Sequence, residues 1–271
     1  MSPSVHSYHL VSREACFGVR FRDAATGQYI GDGLVVSVWP ESRPALRQRA
    51  SVNPSSVWVL SDLPGLRALP PGSPRKRFSV EVRDTEGRFL PCSFQVELPS
   101  RTLLTLECLP DTPPSPLWPP EPALPLFSAP SRHASPLLAV VRAELWDVKA
   151  EAPAAWARLE VRVKDELVAR GLADAQGRAA LFFDSPAILQ DAPLREQSWT
   201  LRLEAFYTPA GPVPPLAPDL RGTLRQPAAR LWPDTSGAQP HLELTLHYGQ
   251  PLVVRTQQDT HSRLRLTPAG S

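Results

Sequence analysis

The sequence predicts an all-β protein in which a proline-rich linker joins two β-sandwich modules. Proline accounts for 33 of the 271 residues, and because a proline inside a helix costs about 3 kcal/mol, a mainly helical chain is excluded. Apolar and polar residues alternate with a period of two in many short segments, which is typical of strands that bury one face. Turn motifs built from aspartate, proline and glycine stand between these segments.

The N-terminal module is predicted to span residues 8–109. Phe17, Val19 and Phe21 alternate with glycine and arginine, and this run ends at Asp23. The large ring of Trp39 is expected to fill the core, as are the later Trp146, Trp156 and Trp199. The predicted strands cover residues 17–23, 34–39, 78–83, 94–98 and 104–109.

Residues 110–136 form the predicted linker, whose ten prolines favour a stiff polyproline conformation. The linker also contains Trp118 and Phe127, large apolar residues that a fully solvated segment does not need. Because aromatic side chains dominate many protein interfaces, these two residues and Trp232 are the candidate partner-docking residues. For the two tryptophans, packing against their own domain is the competing interpretation.

The C-terminal module is predicted to span residues 137–250, followed by a tail over 251–271. Proline-rich residues 208–240 are expected to form a long irregular excursion, and the tail contains two short alternating pieces. The predicted strands cover residues 137–146, 157–163, 168–172, 179–183, 199–207, 242–248, 252–254 and 264–266.

The two modules show an internal repeat of turn chemistry. Each contains Asp-x-x-Gly-Arg before an alternating strand, starting at Asp84 with Gly87 and at Asp174 with Gly177. Aspartate at the first turn position can accept a hydrogen bond from a backbone N–H, and glycine tolerates a positive φ. We therefore predict that these four residues form structural hairpin turns.

The segments 153–161 and 171–179 resemble the carboxypeptidase regulatory-like (transthyretin-like) β-sandwich, in which an apolar strand follows an Asp-x-x-Gly turn. The first half of the chain is similar but looser. The resemblance implies two transthyretin-like or Ig-like sandwich modules and says little about activity.

A second resemblance concerns the kind of assembly to which the protein belongs. The segments 87–91, 125–132 and 171–174 are similar to uncharacterised structural proteins of bacterial phage-tail-like contractile injection particles. This resemblance implies a structural piece of such a particle, at its baseplate, spike or cap.

Charge and targeting signals limit the partners. The formal net charge is +2, and without a basic cluster we expect no nucleic-acid partner. We expect no membrane span and no signal peptide, since no apolar run reaches the required length. The three cysteines, Cys16, Cys92 and Cys108, form no CxxC motif, so we expect no metal site, cofactor or disulfide framework. These features predict a cytoplasmic protein, or one released within an assembled particle.

The candidate catalytic groups are weak. His241 and His247 share a strand face with Glu243 but lie about 20 Å apart along a strand, which is too far to bind one metal ion. Cys16 with an upstream histidine could serve as a nucleophile, but its strand position suits a small buried thiol. The transthyretin-like enzyme hydroxyisourate hydrolase carries a C-terminal Tyr-Arg-Gly-Ser, whereas this chain ends in Thr-Pro-Ala-Gly-Ser.

The sequence therefore predicts a non-catalytic structural subunit, with no catalytic residues, whose partners are other subunits of an assembly. Edge strands and proline-rich segments would make the contacts, and a homo-oligomer is one form of such an assembly. Two alternatives stay open: a free-standing recognition module for carbohydrate or peptide, and a small hydrolase.

Overall fold

The protein is described by a computed structural model that covers residues 15–63, 66, 75–100, 102–106, 123–133, 135, 137–186, 193, 196–211 and 213–268. The predicted all-β class is confirmed, because regular structure in these ranges consists of nineteen strands, one short α-helix and one 3₁₀ turn. No helix in these ranges is long and apolar enough to cross a membrane.

The described residues of the N-terminal half, 15–133, form two sheets. The strands are β1 (Phe17–Asp23), β2 (Tyr29–Ile30), β3 (Leu34–Pro40), β4 (Gln48–Arg49), β5 (Ser51–Val52), β6 (Val57–Leu60), β7 (Lys76–Asp84), β8 (Cys92–Leu98) and β9 (Leu124–Leu126). One sheet has the order β2-β1-β6-β5, with β9 added parallel to β1, and the other has the order β4-β3-β7-β8.

Because side chains alternate along a strand, every second side chain of these strands lies in the core between the two sheets. Phe17, Val19 and Phe21 of β1 are fully buried, while the residues between them are partly exposed. Phe78 and Phe94 from the opposite sheet fill the same core. Burying such a side chain contributes roughly 1.5–3 kcal/mol, so these alternating positions determine which face of each strand turns inward.

The C-terminal half, residues 137–268, also forms two layers. The elements are β10 (Leu138–Asp147), β11 (Ala152–Pro153), β12 (Arg158–Val163), β13 (Glu166–Leu172), β14 (Arg178–Asp184), β15 (Ser198–Phe206), α1 (Leu220–Leu224), β16 (Ala228–Leu231), β17 (Leu242–His247), β18 (Leu252–Val254) and β19 (Leu264–Thr267). In one layer, β12 pairs with β13 and β15, and β15 pairs in turn with β16 and β17. In the other layer, β10 pairs with β11, β14, β18 and β19. The layers join where β16 pairs with β19.

The internal repeat extends to strand pairing. Asp23 at the end of β1 is in parallel register with Leu126, and Asp147 at the end of β10 is in parallel register with Leu266. Each aspartate accepts a 2.9 Å hydrogen bond from the backbone N–H two residues later. The two halves thus begin with the same strand and turn.

Several segments differ from the sequence expectation. β9 lies inside the predicted linker and pairs with β1. β18 and β19 match the two strands predicted in the tail, but they pair with β10 and so join the C-terminal sheet. Residues 208–240 contain α1 and β16 rather than only irregular chain. The predicted strand 104–109 is reduced to one bridge, between Leu104 and Val19, with residues 107–109 outside the described ranges. The module boundaries themselves remain a prediction.

The two halves pack against each other. Trp156, Leu172, Leu220 and Leu224 of the C-terminal half belong to the N-terminal core cluster. A second, smaller cluster joins Val140, Ala180 and Phe182 of the C-terminal half to Ala25. Hydrophobic contact at two places makes the halves one packed body, which the sequence left undecided.

Candidate interaction surfaces

The Asp84–Gly87 turn connects β7 to the segment before β8. The Asp84 carboxylate is fully buried and accepts hydrogen bonds from the backbone N–H groups of Arg88 and Phe89, and from the Arg88 guanidinium at 3.0 Å. Gly87 has a φ of +70° and faces open space. The turn is thus held by the aspartate and not by packing around the glycine.

The Asp174–Gly177 turn connects β13 to β14 with the same chemistry. The Asp174 carboxylate accepts from the N–H groups of Gln176 and Arg178 at 2.8 and 2.9 Å. Gly177 has a φ of +78°, and a Cβ there would lie against the Leu145 carbonyl oxygen. This second turn is therefore packed against β10, whereas the first is free on its outer side.

The three candidate docking residues lie in different surroundings. Trp118 falls outside the described residues. Phe127 is 2% exposed in the N-terminal core, so a partner could reach it only if the segment after β9 left its sheet. The Trp232 indole is partly buried, donates to the Thr267 hydroxyl at 2.8 Å and lies 5.3 Å from the Arg265 guanidinium, so it packs against its own half.

A buried ion pair lies at the junction between the halves. The Asp23 carboxylate binds the Arg132 guanidinium through two hydrogen bonds, of 3.0 and 2.7 Å. Arg132 also lies 5.2 Å from the Phe89 ring of its own half and 5.5 Å from the Phe182 ring of the other. Burial alone would raise the pKa of Asp23, but hydrogen bonds from Arg132, Ala25 and Thr26 outweigh it and lower that pKa.

Trp156 is the largest side chain that the C-terminal half inserts into the N-terminal core. It has a φ of +61°, unusual for a bulky residue, and it is 5% exposed. Gln226 holds the distorted segment, donating to the Trp156 carbonyl at 3.0 Å and accepting from the Arg158 N–H at 3.2 Å. The sequence predicts a core position for Trp156, but no pattern in it indicates that this core belongs to the N-terminal half.

A groove of about 570 Å³ runs over the outer face of the β3-β7-β8 sheet. Its floor carries Trp39, Glu81 and Gln95, and residues 215–221 of the C-terminal half form its wall. Leu216 on that wall is 80% exposed. Trp39 was expected in the core, but it occupies the outward-facing position in the alternation of β3 and lines this groove instead.

The groove is lined by charged side chains of both signs. The Glu81 carboxylate is shared by the Arg83 guanidinium at 2.6 Å and the Arg47 guanidinium at 3.3 Å. Arg47 also stacks on Trp39, with its guanidinium carbon 3.9 Å from the ring centroid. Two guanidinium groups therefore flank this carboxylate beside a partly buried aromatic ring.

Two thiols and one phenol among the described residues have raised pKa values. Burial raises the pKa of Cys16, and it raises the pKa of Cys92 to about 12. Burial, followed by the charge of Asp147, raises the pKa of Tyr207 to about 12. A raised pKa lowers the fraction of reactive thiolate at neutral pH. The described ranges contain no group of three histidine, cysteine, aspartate or glutamate side chains that could hold a metal ion.

No protein-family model and no curated protein matches the chain. Solved structures that resemble it include the Klebsiella pneumoniae 5-hydroxyisourate hydrolase, with 14% identity over 49% of this chain and 93% of that chain, at a TM-score of 0.25. The minor pilin GBS52 of Streptococcus agalactiae shows 7% identity over 94% of this chain and 97% of its own, at 0.27. The shaft pilin SpaA of Lactobacillus rhamnosus GG shows 8% identity over 94% and 98%, at 0.25. At these scores the likenesses carry no functional argument.

Proposed function

We propose that the chain is a non-catalytic structural subunit of a larger protein assembly. The observation that carries the proposal is the shared core, in which Trp156, Leu220 and Leu224 of one half complete the packing of the other. A large hydrophobic contact between two units suppresses their relative motion. A rigid all-β block with exposed strand edges suits a part whose work is to hold neighbouring chains in place.

The finer form of the proposal places the subunit in a bacterial phage-tail-like contractile injection particle. Its support is the resemblance of residues 87–91, 125–132 and 171–174 to structural proteins of such particles. It implies synthesis in the cytoplasm, other subunits of the particle as partners, and release within the assembled particle.

The proposal is tested by the size of the species that contains the chain in its native lysate. A tagged chain expressed from its own locus should sediment with a large particle. Trp118→Ala should release it, whereas Trp118→Phe, which keeps an aromatic ring, should not. Sedimentation of the unmodified chain as a free monomer would contradict the proposal.

The groove favours a second candidate function, a free-standing recognition module. Trp39 offers an aromatic surface, and Ser79 and Gln95 offer hydrogen-bonding groups within a volume that suits a small ligand. Such a module should bind members of a glycan array and lose that binding in Trp39→Ala. An array without any bound glycan would remove the carbohydrate form of this alternative.

A further inference from the structure

Beyond Ser93, the outer edge of β8 carries backbone groups that no other described strand pairs. β8 pairs only with β7 within the described ranges, and the Ser93 N–H points away from β7, donating to the Pro218 carbonyl at 2.8 Å. N–H and C=O groups of a strand alternate in direction with a period of two. Those of Gln95 and Glu97 therefore point outward as well, and no backbone hydrogen bond from the described part of the chain reaches them.

The chain itself begins to add a strand at this edge. Asp219 makes a parallel bridge with Ser93, and the Ser93 hydroxyl donates to the Ala217 carbonyl at 3.1 Å. The addition stops there because the Asp219 side chain caps α1, accepting from the Gly222 N–H at 2.7 Å. α1 then leads away from β8 toward β12, where the Leu224 carbonyl accepts from the Arg158 guanidinium at 2.9 Å.

The groove lies beside this open edge. In a strand added next to Gln95 and Glu97, every second side chain would face the outer surface of the sheet, where the groove is. That surface presents the Arg83 side chain, which pairs with Glu81 but stays 53% exposed, and the apolar side chains of Trp39 and Leu216. These contacts suit an acidic side chain and an apolar side chain on the same face of the incoming strand.

We propose that the open edge of β8 binds an extended segment of a partner protein by strand addition, with alternate acidic and apolar side chains seated in the groove. Main-chain hydrogen bonds to Gln95 and Glu97 supply affinity, and the groove supplies specificity. The inference rests on the proposed function, because it identifies one surface through which the subunit contacts its neighbours.

The probe is a library of displayed seven-residue peptides with threonine at every second position and random residues between. The wild-type chain should enrich peptides that carry aspartate or glutamate together with an apolar residue at the random positions. A synthetic copy of the best peptide should slow hydrogen exchange at the amides of Gln95 and Glu97 by about tenfold or more.

Two N-methylated copies of that peptide provide a matched control. An added edge strand directs only one alternate set of its amides toward the sheet. Methylation at one of these should weaken binding by about tenfold, whereas methylation at the next residue should leave it unchanged. If both copies bind equally well, strand addition is excluded.

Two variants of the chain complete the test. Gln95→Pro removes an outward N–H that makes no hydrogen bond to the described residues, and it should abolish peptide binding. Arg83→Gln should weaken binding of the acidic peptide about tenfold more than binding of an analogue that has asparagine in place of the acidic residue. Arg255→Gln, at an exposed site of the C-terminal half, should leave the binding of both peptides unchanged. If Gln95→Pro does not fold, the protection of the Gln95 and Glu97 amides by the peptide, measured on the wild-type chain, tests strand addition instead.

Peptide binding tests strand addition at β8, whereas sedimentation tests the role in an assembly, so the two can fail separately. If no peptide is enriched, or if glycans alone occupy the groove, the inference is wrong even when the chain sediments with a large particle. Peptide binding without protection of the Gln95 and Glu97 amides would also overturn it. If the chain sediments as a monomer in its lysate, the assembly role fails whatever the peptides do.

Discussion

Asp23 shows, at the scale of a single residue, how a charged group is kept inside the protein. Its carboxylate is almost fully buried, but two hydrogen bonds from Arg132 and further bonds from Ala25 and Thr26 satisfy its oxygens. Removing one member of a buried ion pair leaves the other charge uncompensated. The pair also sits at the junction, because Arg132 contacts Phe182 of the other half.

Asp23→Asn is expected to lower the free energy of unfolding at neutral pH by roughly 3 kcal/mol. The pH dependence follows from the lowered pKa of Asp23, whose ordinary value is 3.8. The ionised carboxylate stabilises the fold fully above about pH 5, and this contribution is lost as the pH falls through 3.8 toward the folded pKa.

Urea unfolding of both proteins across this range measures the effect. The wild-type chain should lose more stability than Asp23→Asn as the pH falls from about 5 to about 2, so their curves should converge. Parallel curves would show that Asp23 has the same pKa in the folded and unfolded chain.

At the scale of elements, the two Asp-x-x-Gly turns form a natural matched pair. Both glycines have a positive φ, so alanine at either position is strained by about 1–2 kcal/mol. Only Gly177 is packed, since a Cβ there would also press on the Leu145 carbonyl and lie 3.3 Å from the Ala154 nitrogen. The open space around Gly87 lets that turn adjust.

We expect Gly87→Ala to reduce the free energy of unfolding by about 1 kcal/mol. Gly177→Ala should cost about 2 kcal/mol more, because β10 or the turn itself must move to admit the methyl group. Urea denaturation of both variants measures the difference. Equal losses would mean that the turn conformation, and not its packing against β10, sets the cost.

At the scale of the whole molecule, the shared core predicts that the halves unfold together. Trp156 is the main link, because it belongs to the C-terminal chain and lies in the N-terminal core. Trp156→Ala should lower the free energy of unfolding by about 3–5 kcal/mol and split the thermal transition into two. Trp146→Ala is the control, since that ring lies on the C-terminal half, stacked 3.8 Å from the Arg263 guanidinium.

Calorimetry distinguishes the outcomes. The wild-type chain and Trp146→Ala should each give one transition, and Trp156→Ala should give two. One unchanged transition in Trp156→Ala would show that the remaining contacts, such as those of Leu220 and Leu224, hold the halves together without the tryptophan.

Local patterns were sufficient to predict most of the long strands. The alternation around Phe17, Val19 and Phe21 identified β1, because a period of two is a property of the strand itself. β6 was missed since its four residues form a short apolar run without alternation, and α1 was missed because its five residues lie among prolines. Such short elements are formed by the contacts around them.

By itself, then, the sequence determined the all-β class and which residues of each long strand face inward, because steric alternation and turn chemistry act between neighbours in the chain. The tertiary structure alone decided which core receives Trp156 and Phe127, that Trp39 lines a groove, and that no described strand pairs with the edge of β8 beyond Ser93. Each of these depends on residues far apart in sequence, whose pairing follows from packing of the whole chain and leaves no periodic signal in any one segment.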